Sequence, residues 1–437
     1  MKVLSLQFTQ MDGHLRELLR GASTAASLKF LAALAAFGLN LLIARMLGPE
    51  GSGIYYLAFT LVTIAAVIAR FGLDNTLIRF IAAAESAGRY ARVQGVYRLG
   101  FKLTVVISLV LAGVMFASAH WIATVVFNEA ALSLPLQVMS LAVPPFALFV
   151  IHAQALQGMK RIRDAIATLS VIAPALMILL SPLLIIQFGV AGASAAYVMA
   201  AVVTLGFGVW RWRISTNHHP QEAGRFSIEE LFSSSVPLFW VAIMNLIVAW
   251  MPTLMLGVFS TTYEVGLFNA ANRTAMLVSF VLVAVNSIAA PKFAELHQQG
   301  DLAALRNVVK SSTRLMILAA SPALMMFLFF PGAFLHLFGS KFEAAGNFLR
   351  IMACGQFVNV ATGSVGYLLM MTGNERALRR ITIVSASGAI VLCLILIPVY
   401  GALGASIATA FVVATQNILY YFSARKLVFS SEPLISK

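Results

Sequence analysis

The chain has 437 residues, 60% of them hydrophobic and only 11% charged, whereas soluble domains carry about 25% charged residues, so a water-soluble fold is excluded. Long apolar runs recur from Leu31 onward, each near the ~20 residues a helix needs to cross about 30 Å of hydrocarbon, twice the length of a membrane barrel strand. The net charge of +14 would suit nucleic acid on a soluble face, but its distribution among the loops excludes that partner.

In chain order, Leu15, Leu18 and Leu19 share one helical face, with Arg16, Glu17 and Arg20 elsewhere. This predicts a short interfacial helix near 13–21. About twelve spans follow, near 22–46, 53–78, 99–118, 133–157, 165–187, 190–210, 231–256, 265–290, 312–332, 344–372, 380–399 and 402–424. The first apolar run is about 25 residues long, holds Lys29 and leads straight into further spans, which marks an uncleaved helix rather than a removable signal. Basic residues crowd every second loop: Arg79, Arg89, Arg92 and Arg98; Lys160, Arg161 and Arg163; Arg211 and Arg213; Lys292 and Arg306; Arg376, Arg379 and Arg380; Arg425 and Lys426. The intervening loops offer Arg45 and Lys341. By the positive-inside rule both termini are expected in the cytoplasm. Cys354 and Cys393 fall within spans and read as packing residues.

Two halves repeat. Met46-Leu47-Gly48 and Gly53-Ile54-Tyr55 return as Met255-Leu256-Gly257 and Gly266-Leu267-Phe268, and "GVAGASAA" from 189 returns as "GALGASIA" from 401. Several anchors in one order at a nearly constant offset indicate duplication. Six spans per half make the halves parallel repeats about an axis along the membrane normal, enclosing a central cavity. The expected fold is therefore an all-α polytopic membrane protein: an N-terminal six-helix bundle (1–210), a polar cytoplasmic linker (211–226) and a C-terminal bundle (227–437). Gly192 with Ala196, and Gly404 with Ala408, have the small-xxx-small spacing of close helix packing. In "ARMLGPEGSGIYY" Gly48 ends one helix, Pro49 blocks its continuation and Gly53 frees the start of the next. Arg45 and Glu50 are candidates for an interfacial pair or an outer gate.

The stretch "ARMLGPEGSGIYYLAF" with "RFGLDNTLIRFIA" (70–82) resembles the bacterial polysaccharide flippases of the superfamily that includes MATE drug exporters and lipid II flippases. Arg45 to Glu50, Gly53, Tyr55, Phe71 to Asp74 and Arg79 carry the likeness. The resemblance implies a MATE-like fold in the bacterial inner membrane and translocation, by alternating access, of an undecaprenyl-pyrophosphate-linked oligosaccharide to the outer leaflet. It implies membrane lipids, a polysaccharide polymerase and chain-length proteins as partners, and no cofactor, with a proton or sodium gradient as an energy source. A cation-coupled small-molecule exporter, or a non-transporting scaffold for glycan assembly, are the competing readings.

Charges within spans cost at least about 3 kcal/mol at mid-bilayer and are functional candidates by default. They are Lys29, Arg70, Arg273 and Arg350, opposed by Asp74. A cationic interior suits an anionic headgroup. Lys29 either lines the cavity or snorkels. Arg273 is too deep to snorkel easily, and Asn269 and Asn272 beside it either meet sugar hydroxyls or tie helices together. Arg70 and Asp74, spaced i,i+4, form either a structural pair or a headgroup site if the helix runs through Gly72. Arg350 lies near the outer surface, where snorkelling is easy. Asn245, Gln356 and Asn359 are further cavity polars. No P-loop, HExxH or Cys/His cluster occurs, so neither ATP hydrolysis by a P-loop nor a metal site is expected, and the chain reads as no enzyme. His152 reads as a helix-packing residue.

Overall fold

The computed structural model describes residues 13–217, 224 and 226–429, except the side chains of 13–26, Ala284, Ser287, Ile288 and Pro291. Every regular element among them is helical, as lipid demands: without water the backbone must satisfy its own polar groups, and a helix does so within one segment. The helices are α1 (Gly13–Arg70), α2 (Leu73–Ser86), α3 (Tyr90–Trp121), α4 (Ser133–Ser140), α5 (Val143–Gly158), α6 (Ile172–Ser215) and α7 (Ile228–Phe259). After them come α8 (Thr262–Ala275), α9 (Phe280–Gln298), α10 (Leu302–Phe329), α11 (Gly346–Ala361), α12 (Val365–Met371) and α13 (Glu375–Val428), with short helical turns between some. Seven described helices are long and apolar enough to cross a membrane, or eight if α4 and α5, bent by 46°, form one span.

Three of the seven are too long for one crossing. Ser27–Arg70, Ile162–Ser215 and Glu375–Val428 contain 44, 54 and 54 residues, about 65–80 Å at 1.5 Å per residue. Each breaks at one glycine with positive φ: Gly48 (68°), Gly189 (56°) and Gly401 (53°). With ψ of −132° and −131°, Gly189 and Gly401 share one backbone conformation that a side chain rarely permits. Three residues on, a Cβ at Gly192 would lie 2.0 Å from the Leu184 carbonyl oxygen, and one at Gly404 would lie 2.2 Å from that of Leu396. The small-residue motif is therefore the inner corner of a helical hairpin, built identically in both halves.

Three local expectations change. Residues 13–21 are helical but continue without a break into α1, because Gly21 alone among good helix formers does not stop a helix; a separate interfacial helix is absent there. The second span breaks at Phe71 (φ 46°) and Gly72 (φ 73°), and α2 begins afresh at Leu73. Gly53 does not loosen a helix start, since it lies within continuous helix. A Cβ there would sit 1.8 Å from the Thr262 carbonyl oxygen, so its lack of a side chain serves contact between the halves. His218 and His219 of the linker lie outside the described residues, and α6 extends to Ser215, past the expected start of the linker.

Cross-loop bonds fix which loops share an end. At one end, which we call the turn end, Thr262 Oγ1 donates to Glu129 (3.1 Å), the Ala402 N–H donates to Glu264 (2.7 Å) and the Tyr263 hydroxyl reaches the Lys341 carbonyl (3.5 Å). Gly51 lies beside Val190 there. At the opposite, basic end the Gly224 N–H donates to the Ala91 carbonyl (2.8 Å), Arg79 donates to Ser234 (3.0 Å) and Arg92 pairs with Glu230. The alternation of loops read from charge is thus reproduced by contacts.

Candidate functional site

The two halves touch at both ends: at the basic end a Cβ on Gly72 would lie 2.2 Å from the Ser235 carbonyl oxygen, and the approach is as close at the turn end. A Cβ on Gly266 would lie 2.0 Å from the Pro49 carbonyl oxygen, the reciprocal of the Gly53 contact with Thr262, and one on Gly257 would lie 2.5 Å from Leu57 and 2.9 Å from Phe127. The repeated glycines that mark the duplication therefore face each other across the seam it created. Backbones can approach this closely only where both partners lack a side chain.

Below this contact the seam becomes aromatic and then cationic. Residues 52–58 are all buried, with Tyr56 donating to Asn40 (2.8 Å). One turn further, Phe59 of the N-terminal half meets Trp250 of the C-terminal half with ring centroids 5.8 Å apart. The Arg273 guanidinium stands 5.7 Å from the Trp250 ring. Two turns beyond Arg273, Phe280 meets Phe30, at 6.4 Å, next to Lys29. Residues 33–42 of the first arm of α1 are only half-buried or exposed, and a Cβ on Gly38 would meet no atom within 4 Å. The seam is tight at the turn end and looser along this arm.

Arg273 is the outstanding charge. It has no acidic partner within 4 Å among the described residues, and its Nε is buried without a hydrogen-bond acceptor. A cation–π contact supplies about 1 kcal/mol, against at least about 3 kcal/mol for a charge held in the membrane interior. Arg273 is half-buried, and Trp250 alone does not offset that cost.

The other sequence candidates separate clearly from it. Arg70 is buried and fully engaged: Nε donates to Asp74 (2.8 Å), Nη1 to the Ala66 carbonyl (3.2 Å), and its guanidinium lies 5.9 Å from the Phe146 ring. The pair forms even though the helix does not run through Gly72, because Asp74 occupies the first turn of α2, where the helix dipole favours a carboxylate. Lys29 is exposed, beside Phe30 and Leu31, which are 51% and 59% exposed, and has no acidic partner among the described residues. Arg350 is exposed and donates to the Leu328 carbonyl and Asn347, each at 3.0 Å.

Asn269 is buried and donates to the Val265 carbonyl of its own helix (2.9 Å). Asn272 is half-buried next to Arg273. Arg45 and Glu50 are both exposed and lie beyond ion-pair distance of each other; the polar bond that does join the halves at this end is Thr262 to Glu129. Gln356 accepts from Asn359 at 3.4 Å, and Asn245 is exposed. His152 is a buried packing residue: Nδ1 faces the Leu148 carbonyl at 2.7 Å and Nε2 faces the Tyr97 hydroxyl at 2.8 Å.

Sequence reasoning missed Trp250, Glu129 and Glu264. Trp250 gave no distinct signal, since tryptophan favours the ends of spans and this one lies nine residues before the end of α7. Glu264 carried none. It caps the first N–H group of the helix after Gly401, 138 residues away.

A model of the family described as polysaccharide biosynthesis protein matches residues 18–297. The chain belongs to this family. It is 24% identical over 380 residues to a probable low-salt glycan biosynthesis flippase, Agl15, of Haloferax volcanii, covering 86% of this chain and 77% of that one. Its fold is similar to the inward-facing conformation of a multidrug resistance MATE transporter (TM-score 0.75, 15% identity, 93% and 96% of the two chains). It is also similar to the lipid II flippase MurJ in an inward closed conformation (TM-score 0.73, 13% identity, 92% and 87%). This is the MATE-like architecture that the resemblance implied.

Proposed function

We propose that this polysaccharide biosynthesis protein is a flippase that carries a lipid-linked oligosaccharide across the membrane, its pyrophosphate drawn to Arg273 between the halves. One observation carries the reading: a guanidinium at the inter-half seam with no acidic partner within 4 Å among the described residues, in a chain of this family. An anionic headgroup would supply the missing charge, while the lipid tail stays in the bilayer. On this reading the chain crosses the membrane twelve times, with both termini and the basic loops in the cytoplasm, and the substrate is undecaprenyl-pyrophosphate-linked. The substrate would load from the basic side along the looser first arm of α1, although the halves meet at that end too, where a Cβ on Gly72 would lie 2.2 Å from the Ser235 carbonyl oxygen. Lys29, two turns nearer that side, would be met before Arg273. Asp74, already bound to Arg70, is a poor candidate for carrying a coupling ion.

The test is translocation of a fluorescent undecaprenyl-pyrophosphate oligosaccharide in vesicles containing purified protein. Arg273→Ala is expected to lower the rate at least tenfold with normal insertion. Full activity in Arg273→Ala would remove the site, and no translocation by the unaltered protein would favour a scaffold.

A further inference from the structure

A second site lies on the flank of the C-terminal half, apart from the seam. A pocket of about 240 Å³ opens between α7 and the first arm of α13, lined by Trp240, Val241, Met244, Arg379, Thr382 and Ile383. Its surroundings identify the medium it faces. Trp240 is 58% exposed and Ile383 45%, and the following turns of α13 expose Val384, Val391 and Ile395, a stripe of bulky apolar groups that only acyl chains would solvate. Phe239 stacks on Phe71 of the N-terminal half at 4.6 Å, so Trp240, turned by about 100° around the helix, points away from that contact.

The floor of the pocket is apolar in effect. Thr382 is buried and its hydroxyl is taken up by the Leu378 carbonyl and the Tyr420 hydroxyl, both at 2.9 Å. The mouth is cationic. Arg379 is exposed one turn into α13, with Arg376 at i−3 on the same face and Arg380 beside it, all exposed. None of the three has an acidic partner within 4 Å among the described residues. An apolar slot lined in part by the stem of an exposed arginine, at the basic end of the helix, matches an amphiphile with a negative head.

We propose that this slot binds an anionic glycerophospholipid of the surrounding leaflet, with one acyl chain between Trp240 and Ile383 and its phosphate on Arg379. This ligand is a different molecule from the transported one. Trp250, which marks the level of Arg273, lies ten residues further along α7, about 15 Å away, so one headgroup does not occupy both arginines.

Quenching of tryptophan fluorescence by bromine-labelled acyl chains tests the site. The protein is reconstituted in phosphatidylcholine vesicles containing either dibrominated phosphatidylglycerol or dibrominated phosphatidylcholine, and the contribution of Trp240 is obtained by difference from Trp240→Phe. Trp240 is expected to be half-quenched at an at least threefold lower mole fraction of the brominated phosphatidylglycerol. Arg379→Gln should bring the two lipids to parity, and Arg379→Lys should keep part of the preference. Equal quenching by both lipids in the unaltered protein would mean that the slot is merely solvated by bulk lipid, and would overturn the proposal. So would a preference surviving in Arg379→Gln. Displacement of the brominated phosphatidylglycerol by an equal mole fraction of undecaprenyl phosphate would also overturn it, reassigning the slot to a prenyl chain.

Discussion

The two halves share a hinge but not a charge. Gly189 and Gly401, 212 residues apart, have φ and ψ equal within 3°, and the glycines after them press on carbonyls eight residues back in both halves. The intramembrane arginines of the same halves have opposite fates. Arg70 is neutralised by Asp74 one turn away, whereas Arg273 has a tryptophan ring and no carboxylate within 4 Å among the described residues. Duplication has preserved the parts that determine shape and released the parts that determine chemistry. On the proposed function, the charge that is costly and without an acidic partner marks the site, and the paired charge belongs to the scaffold.

The strongest way to break this comparison is to attack the shared scaffold where the halves meet. Gly53→Val would place a Cβ 1.8 Å from the Thr262 carbonyl oxygen, where neither backbone can withdraw without opening the turn end. Translocation in vesicles is expected to fall to background, with helicity by circular dichroism retained. Gly388→Ala, where a Cβ meets nothing within 4 Å, should remain active. Near-normal transport by Gly53→Val would show that the tight seam is dispensable.

The two arginines should then respond in opposite ways. Arg273→Gln is expected to slow translocation at least tenfold, about 1.4 kcal/mol, while leaving the melting temperature in detergent unchanged or raised, because it removes an uncompensated charge. Asp74→Asn should do the reverse. It strands the buried Arg70, costing about 2 kcal/mol, below the usual cost of breaking a buried pair because Asp74 is 27% exposed. The melting temperature should drop while the remaining folded protein translocates normally. If Asp74→Asn abolished transport at unchanged stability, the pair would belong to the mechanism and the division between scaffold and site would fail.

How far the sequence revealed this depends on the range of each interaction. The all-helical membrane class, the duplication and the breaks at Gly48, Gly189 and Gly401 were legible, because hydropathy, repetition and glycine chemistry act locally. The depth of Arg273 was legible for the same reason. Its lack of a partner was not: that depends on which side chains of other helices reach it, as does the capping of Ala402 by Glu264. The Arg70–Asp74 pair was visible from spacing, though the chain breaks between its members. The bond of Asn269 to its own helix was not legible, since a carboxamide one turn from a cation can equally bond elsewhere.

The weakest expected effect concerns Lys29, and it decides whether the seam holds one cationic site or a path. Lys29 is exposed where Phe30 meets Phe280, about two turns toward the basic end from Arg273. At an exposed position its attraction for a headgroup is screened, so it can raise the local concentration of an anion without holding it as Arg273 would. Lys29→Gln is therefore expected to raise the substrate concentration for half-maximal translocation by less than about threefold, with the maximal rate unchanged and the effect shrinking as salt is raised. An equally large loss from Lys29→Gln and Arg273→Gln, insensitive to salt, would instead mean that both cations hold the headgroup together. The N-terminal half would then contribute a working charge after all, and the contrast between the halves would reduce to the difference between Arg70 and Lys29.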